Sequence, residues 1–323
     1  MNSIDYIKLH SENSLKTWYA LPINERNTLN SVAIKEKVLQ WDQLLELQQS
    51  GKELSLDNHL VFFHIFKTAG TTLNRIIAKN YRINNLIQAN APVIDANPSI
   101  LFKLGSCIRV LMGHFELNDL IYQVLDRRQL IHITLLREPL ERIVSYFDHI
   151  QSRERHILHE HVKDMSLADF IASDLVNEVS NGQSHRLLGL LKQKQILKDY
   201  RSENQLLSDA KDMLIKKFSI VGTTDQFDQF LLQCHSLLNW PDIYYQRLNQ
   251  SAKKTVRKEL PVGLVNKVYA LNQVDLKLYN FIKSLNQKRC ETLKIDKLAV
   301  NNFTNSNKKI NQIIDTLYGL KSQ

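Results

Sequence analysis

The sequence predicts an α/β fold with a central, mainly parallel sheet flanked by helices. Two stretches indicate this. In each, a short apolar run typical of a buried strand (residues 60–65 and 131–136) is followed within a few residues by apolar positions at helical spacing. A helix that directly follows a strand can return the chain to the same end of the sheet, so that the next strand runs parallel. Two further apolar runs, 109–112 and 218–221, are predicted to supply the other strands.

The remaining elements follow from the same signals. Ahead of the first strand, apolar positions over residues 32–47 indicate an amphipathic helix with Lys35 and Lys37 on its polar side. The stretch 84–99, rich in Asn, Ala and Pro, is typical of a loop. Pro139 suits the first turn of the helix that follows the third strand. Further helices are predicted over residues 167–175, 227–238 and 264–282.

Composition narrows the class of protein. The chain has 323 residues, of which 43% are hydrophobic and 23% charged, as in an ordinary soluble globular protein. Its net charge of +9 indicates an anionic partner but does not distinguish a nucleotide, an acidic glycan, a nucleic acid or a membrane surface. Three widely spaced cysteines (Cys107, Cys234 and Cys290) favour a reducing compartment. We see no apolar run typical of a signal peptide or a membrane span, so we expect a soluble, cytoplasmic protein without stable membrane insertion.

The chain is expected to have three parts. Residues 1–57 form an N-terminal helical extension, residues 58–285 form the main domain, and residues 286–323, with weak periodicity, form a C-terminal extension. No internal repeat is visible.

The first candidate site is the short turn between the first strand and its helix. It runs Lys67, Thr68, Ala69, Gly70, Thr71 and Thr72. A strand, a tight turn of small residues and a helix N-terminus leave backbone N–H groups unpaired, which favours binding of an anion such as phosphate or sulfate. The order is not that of a Walker A loop, which needs a second glycine and a Lys-Ser/Thr pair at its end.

The second candidate site follows the third predicted strand. Arg137 ends that strand, and Ser145 lies on the next helix, so a guanidinium fork and a hydroxyl could meet at one anion. Arg142 is a less certain member of this site. It is four residues after Glu138, and a pair between the two on the helix surface is expected.

These two stretches resemble motifs of the carbohydrate sulfotransferases. Residues 64–72 are similar to the family's 5′-phosphosulfate loop, H-I-P-K-T-[AG]-G-[ST]-[ST], with Phe66 in place of the usual proline. Residues 136–147 match its 3′-phosphate motif, L-R-[DE]-P-x-x-R-x-x-S-x-[YF]. Asn181, Gln183, Arg186 and Leu188 are similar to its N-x-Q-x-R-x-L segment, with one more residue between Gln183 and Arg186 than that segment has, and residues 275–279 are similar to its D-x-x-L-Y segment. The chain is thus identified as a suspected family-2-type carbohydrate sulfotransferase, similar to the heparan and chondroitin enzymes and suited to a soluble bacterial member.

The resemblance implies a P-loop-like three-layer sandwich and transfer of a sulfuryl group from 3′-phosphoadenosine 5′-phosphosulfate to a hydroxyl group, probably on a carbohydrate. It implies that the loop residues, Arg137 and Ser145 bind the donor, and that the basic loop with Lys253 and Lys254 closes over it. Gln183 and Arg186 are implied to bind the acceptor. No metal and no nucleic-acid partner is expected.

The same resemblance implies two catalytic groups. Lys67 is placed to stabilise charge on the leaving phosphate oxygen. His114, which follows the second strand, is the candidate general base, because histidine titrates near neutral pH. Glu116 is the competing base, and the choice between the two stays open.

Two other functions remain as alternatives. A nucleotide kinase would use the loop for ATP, although the Walker A order and an evident magnesium-binding aspartate are missing. A non-enzymatic polyanion-binding protein would explain the net charge but not the two strand-end motifs. A basic, histidine-rich stretch is interpreted as a solvated helix face, because its spacings fit no metal site. Its residues are His149, Arg153, Arg155, His156, His159 and His161.

Overall fold

The structure, a computed structural model, confirms an α/β fold with a central parallel sheet flanked by helices. It describes residues 38–52, 54, 58–82, 85–88, 109–115, 129–173, 175–190, 202–246 and 260–317. Within these residues the sheet has five strands in the order β2-β3-β1-β4-β5. The pairings of β1 with β3, β1 with β4 and β2 with β3 are all parallel.

The strands of the described chain are β1 (His59–Phe63), β2 (Leu86–Gln88), β3 (Val110–Gly113), β4 (Leu130–Leu136) and β5 (Ile220–Thr223). The helices are α1 (Trp41–Gln49), α2 (Gly70–Asn80), α3 (Pro139–Ser152), α4 (His159–Val162), α5 (Leu167–Ala172), α6 (Gly182–Leu187), α7 (Glu203–Lys217), α8 (Phe227–Leu238), α9 (Val262–Leu271), α10 (Gln273–Thr292) and α11 (Lys297–Leu317). Short 3₁₀ turns lie at Asn177–Val179 and Thr224–Gln226.

The chain divides into two compact units. The first takes its residues from the segments Met1–His64, Tyr81–Thr134 and Ser184–Ile220. Its described part contains β1, β2, β3 and most of β4, and aromatic rings fill its interior: Phe63 meets Phe115 and Phe218 edge to face, at centroid distances of 5.8 and 5.9 Å.

The second unit takes its residues from Ile65–Asn80, Leu135–Gln183 and Val221–Gln323. Its core includes a cluster built from one side of α3 together with buried side chains of α4, α5 and α9. The helical stripe predicted after Pro139 accounts for this cluster, because Leu140, Ile143, Val144 and Phe147 are all buried in it.

Strand pairing corrects two of the predictions near the N-terminus. Val38 bridges Leu130 in parallel, and the N–H of Leu39 donates to Leu130 O at 2.9 Å, so these residues are extended and the helix begins only at Trp41. Lys35 and Lys37 lie outside the described residues. In the stretch predicted to be a loop, residues 86–88 form β2 on β3, because backbone pairing can order a segment too short to show a period.

Side-chain hydrogen bonds correct two of the predictions near the C-terminus. The predicted single helix over 264–282 is two helices, because Asn272 leaves helical geometry and its Nδ2 donates to Val268 O at 2.9 Å, which ends α9. The stretch with weak periodicity forms α11, in which Phe303 and Asn307 are buried. Asn307 Oδ1 accepts from the N–H of Tyr245 at 2.8 Å, a contact that no helical pattern reveals.

No helix among the described residues is long and apolar enough to cross a membrane. The division into parts at residues 57 and 285 stays a prediction.

Candidate functional site

The turn between β1 and α2 has an unusual backbone. Lys67 and Ala69 both adopt positive φ angles, 66° and 62°, which residues other than glycine rarely do. Between them, the buried Thr68 donates its hydroxyl to Ile65 O at 2.8 Å and closes the turn. Backbone that alternates in this way makes successive N–H groups converge on a small concavity suited to an anion.

Helix α2 adds donors directly after the turn. The N–H of Leu73 makes the first intrahelical bond, to Ala69 O at 3.1 Å. The N–H groups of Gly70, Thr71 and Thr72 therefore precede that bond and belong to the first helical turn, whose donors have no partner within a helix. An eleven-residue helix also places the positive end of its dipole here.

Lys67 is a partly buried cation at this turn. Burial, with the nearby charges of Arg137 and Arg153, lowers the pKa of Lys67 to about 8, and the charge of Asp148 opposes this shift. A lysine that has lost water and faces other cations gains from a bound anion, which would restore its usual pKa.

Arg137 lies beside the turn. Its Nη1 donates to Lys67 O at 3.2 Å, and its Nε is 3.6 Å from Oε2 of Glu141, which lies in the first turn of α3. Burial lowers the pKa of Arg137, while Glu141 raises it. The structure thus brings the two candidate anion sites of the sequence together within the second unit. Ser145, half-buried, follows Glu141 by four residues and shares that face of α3.

Phe66, the departure from the motif, packs on α3. Its ring stacks on Tyr146 at a centroid distance of 6.2 Å, and Tyr146 meets His156 edge to face at 6.4 Å. A proline at 66 would lack this aromatic contact, so the phenylalanine anchors the turn by packing.

The histidine-rich stretch does not lie entirely in solvent, which corrects that prediction. His149 and His156 are half-buried, with ring centroids 5.8 Å apart. Burial, with the charges of Lys67, His156 and Arg153, lowers the pKa of His149 to about 4. His159 is also half-buried and its Nδ1 donates to Ile150 O at 3.0 Å, whereas Arg153, Arg155 and His161 are exposed. His149 is therefore neutral at neutral pH and lies close enough to Lys67 to feel its charge.

Gln183, predicted to bind the acceptor, lies entirely inside the second unit with a fully buried side chain. Its Oε1 accepts from the N–H of Arg137 and its Nε2 donates to Arg137 O, each at 2.8 Å. Both ends of its amide thus engage the backbone of a residue of the candidate site. Arg186 is half-buried in α6.

Arg142 pairs with Glu178, which corrects the expected pair with Glu138. The guanidinium is fully buried, Nη1 lies 3.0 Å from Glu178 Oε2, and Nη2 donates to Glu178 O. Glu138 instead caps α3 by accepting from the N–H of Glu141 at 2.8 Å. Nothing in the sequence indicated Glu178, because a partner 36 residues away leaves no local pattern.

His114 lies in the first unit, at the end of β3. Its Nδ1 is 2.7 Å from His64 O, and the two imidazole rings are 4.1 Å apart between centroids. Because a carbonyl oxygen only accepts, Nδ1 carries the proton, and in the neutral ring Nε2 holds the lone pair. Glu116, Lys253 and Lys254 lie outside the described residues.

Comparison with known proteins identifies relatives of this chain. A family model described as "Sulfotransferase family" matches residues 54–282. Heparan-sulfate 6-O-sulfotransferase 3-B of Danio rerio is 24% identical over 276 residues, which are 71% of this chain and 64% of that protein. Heparan-sulfate 6-O-sulfotransferase 2 of Gallus gallus is 23% identical over 287 residues, which are 74% of this chain and 69% of that protein. Heparan-sulfate 6-O-sulfotransferase 3 of Homo sapiens is 24% identical over 280 residues.

The chain matches 64% and 58% of the length of two of these relatives, so it spans less than two thirds of each. The family match, in contrast, covers well over half of this chain and contains the turn at 65–69, Arg137 and Gln183. The chain therefore belongs to the sulfotransferase family.

Proposed function

We propose that this protein transfers the sulfuryl group of 3′-phosphoadenosine 5′-phosphosulfate to a hydroxyl group of a carbohydrate acceptor. The observation that carries the proposal is the contact of Arg137 Nη1 with Lys67 O at 3.2 Å, which joins two anion-binding elements in one unit. Membership of the sulfotransferase family supports the reaction type. The relatives, which are named as heparan-sulfate sulfotransferases, support a carbohydrate acceptor.

The residues present suit such a donor. The N–H groups of the first turn of α2 and the partly buried Lys67 suit the phosphosulfate end. Arg137 offers a planar fork for the 3′-phosphate, with Ser145 on the same helix face as the Glu141 to which Arg137 is paired. The proposed donor-binding groups are thus positively charged side chains and backbone N–H groups at the positive end of the α2 dipole.

In the proposed reaction the acceptor oxygen forms a bond to sulfur while the bond from sulfur to the 5′-phosphate oxygen breaks. The products are the sulfated acceptor and 3′-phosphoadenosine 5′-phosphate. Lys67 stabilises the negative charge that grows on the leaving oxygen. The acceptor proton passes to His114 Nε2, which is suited to take it because Nδ1 is committed to His64 O.

The base assignment is tested by a pair of variants. We expect His114→Ala to lose roughly 10²–10⁴ in turnover while binding donor nucleotide normally. Glu116→Gln removes the rival carboxylate at nearly constant volume and should keep turnover. An inactive Glu116→Gln together with an active His114→Ala would transfer the role of base to Glu116.

The reaction type is tested first by nucleotide binding. Calorimetric titration with 3′-phosphoadenosine 5′-phosphate and with ATP should show clear preference for the first, and labelled donor should transfer sulfate to a heparan-type glycan. Preference for ATP would support the nucleotide kinase instead. Binding of heparin without binding of either nucleotide would support a polyanion-binding protein.

A further inference from the structure

We propose that Gln183 is a positioning residue, whose side-chain amide holds the backbone of Arg137 so that the guanidinium meets the 3′-phosphate of the donor. This inference rests on the proposed function for the identity of the anion. It assigns Gln183 a role in the donor site instead of the acceptor contact that the sequence indicates.

The contact is a two-point clamp. The N–H of Arg137 donates to Gln183 Oε1, and Gln183 Nε2 donates to Arg137 O, both at 2.8 Å. With both polar ends in use and the side chain fully buried, Gln183 has little left to offer an acceptor sugar. Two parallel hydrogen bonds fix both the position and the orientation of the peptide at the end of β4, and with it the start of the Arg137 side chain.

Hydrogen bonds to the start of α10 hold the backbone of Gln183 in turn. Its backbone N–H donates to Asp275 Oδ2 at 2.9 Å, across 92 residues of sequence. Asn181 Oδ1 accepts the N–H groups of Val274 and Asp275, both at 3.1 Å, and so caps the start of α10. The clamp is therefore part of a buried polar network whose members are hydrogen-bonded to one another, an arrangement that favours a single geometry.

The segment just before Gln183 is fixed by the ion pair of Arg142 and Glu178. A Cβ atom at Gly182 would lie 2.6 Å from Arg142 Nη2 and 2.9 Å from Glu178 Oε2, so a larger residue there would have to displace the buried ion pair. The Arg142–Glu178 pair and Gly182 together place the backbone of Gln183 next to Arg137. Arg142, the second arginine of the 3′-phosphate motif, thus supports the position of Gln183 through its buried pair with Glu178.

The test compares two buried glutamines of the same unit. Gln183→Met removes the clamp at similar volume. Gln233→Met is the matched control, because Gln233 is also fully buried and hydrogen-bonded, with Asn286 and Cys290. The readout is the affinity for adenosine 3′,5′-bisphosphate divided by that for adenosine 5′-phosphate, which isolates the 3′-phosphate.

We expect Gln183→Met to lower this ratio about ten-fold, the equivalent of about 1.4 kcal/mol, and Gln233→Met to leave it unchanged. Hydrogen exchange of the Arg137 amide in the nucleotide-free protein should accelerate only in Gln183→Met. An unchanged ratio, a raised acceptor KM with normal nucleotide affinity, or an unchanged Arg137 exchange rate would each overturn the inference.

Gln183→Glu covers the case in which the methionine variant does not fold. The ionised carboxylate still accepts from the Arg137 N–H but faces Arg137 O without a proton, whereas the protonated acid can donate to it. The 3′-phosphate preference should therefore be low at neutral pH and recover as the pH falls. A preference independent of pH would contradict the clamp. If the wild-type protein shows no 3′-phosphate preference, the donor assignment fails, and Arg137 exchange still decides whether the clamp exists.

Discussion

The two candidate anion-binding elements of the second unit are built in different ways. The turn at 65–69 is assembled from its own neighbours: Thr68 bonds Ile65 O three residues back, and the next helix starts at Gly70. Arg137 is held by Gln183, 46 residues later, and meets Lys67 O, 70 residues earlier. We call the turn at 65–69 the local element, and a short motif is enough to recognise it. We call Arg137 with its supporting residues the dispersed element. It depends on packing, so substitutions far from the anion should damage it.

The largest expected effect concerns the support of the dispersed element. Arg142→Met should lower the free energy of unfolding by about 3–5 kcal/mol, because it leaves the buried Glu178 carboxylate without its partner. Denaturant titration measures the loss. The control Lys79→Met breaks the exposed pair with Asp242 and should cost no more than about 1 kcal/mol. Equal losses in the two variants would mean that the buried pair contributes no more to the free energy of unfolding than the exposed pair does.

The next effect concerns the local element. Lys67→Ala should reduce turnover by about 10²–10³, with acceptor KM little changed, because in the proposed reaction Lys67 meets charge that develops on the leaving oxygen. Steady-state kinetics with labelled donor measure it. Lys79→Ala, which removes one positive charge near the end of α2, the helix that follows the turn, should keep near-normal turnover. Near-normal turnover in Lys67→Ala would exclude this role for the lysine.

Arg137→Ala should act on binding more than on turnover. Affinity for 3′-phosphoadenosine 5′-phosphate should fall by about 1.5–3 kcal/mol, the value of a charged hydrogen bond, while affinity for adenosine 5′-phosphosulfate should change little. Ser145→Ala should follow the same pattern with a smaller loss. Calorimetry with both nucleotides distinguishes the cases, and equal losses for the two would place Arg137 away from the 3′-phosphate.

The pH dependence of binding should also reveal the local element. The free enzyme holds Lys67 with a pKa lowered to about 8 by burial and by neighbouring cations. Below that pH Lys67 is already protonated when the anion binds. Above that pH Lys67 must take up a proton as the anion binds, which weakens binding. Nucleotide affinity should therefore be flat from pH 7 to 8 and then fall up to about ten-fold per pH unit. Lys67→Met should abolish the fall, and a fall that persists there would have another origin.

The smallest expected effect is a gain. Glu141 lies 3.6 Å from Arg137 Nε. Under the proposed donor binding, Glu141 would compete with the 3′-phosphate for the guanidinium. Glu141→Gln should raise affinity for 3′-phosphoadenosine 5′-phosphate about two-fold, as expected for a half-exposed pair. The gain should shrink at high salt. A loss of affinity would indicate that Glu141 orients Arg137 instead of competing for it.

Much of the fold followed from local pattern. The strand–turn–helix joints at 60–77 and 131–147, the buried stripe of α3 and the start of that helix at Pro139 are as predicted, because apolar spacing and backbone propensity act within a few residues. Two elements were not predicted. The strand β2 is too short to show a period and pairs with β3, and α11 was not recognised although its residues are amphipathic.

The sequence by itself therefore determined the turn between β1 and α2 and the strand-end position of Arg137, since backbone geometry over a few residues decides both. Only the tertiary structure decided which side chains support them. Arg142 meets Glu178 and not Glu138, and Gln183 turns its amide to the backbone of Arg137. The physical reason is that a buried polar group must find a partner, and which partner is within reach depends on how distant segments pack.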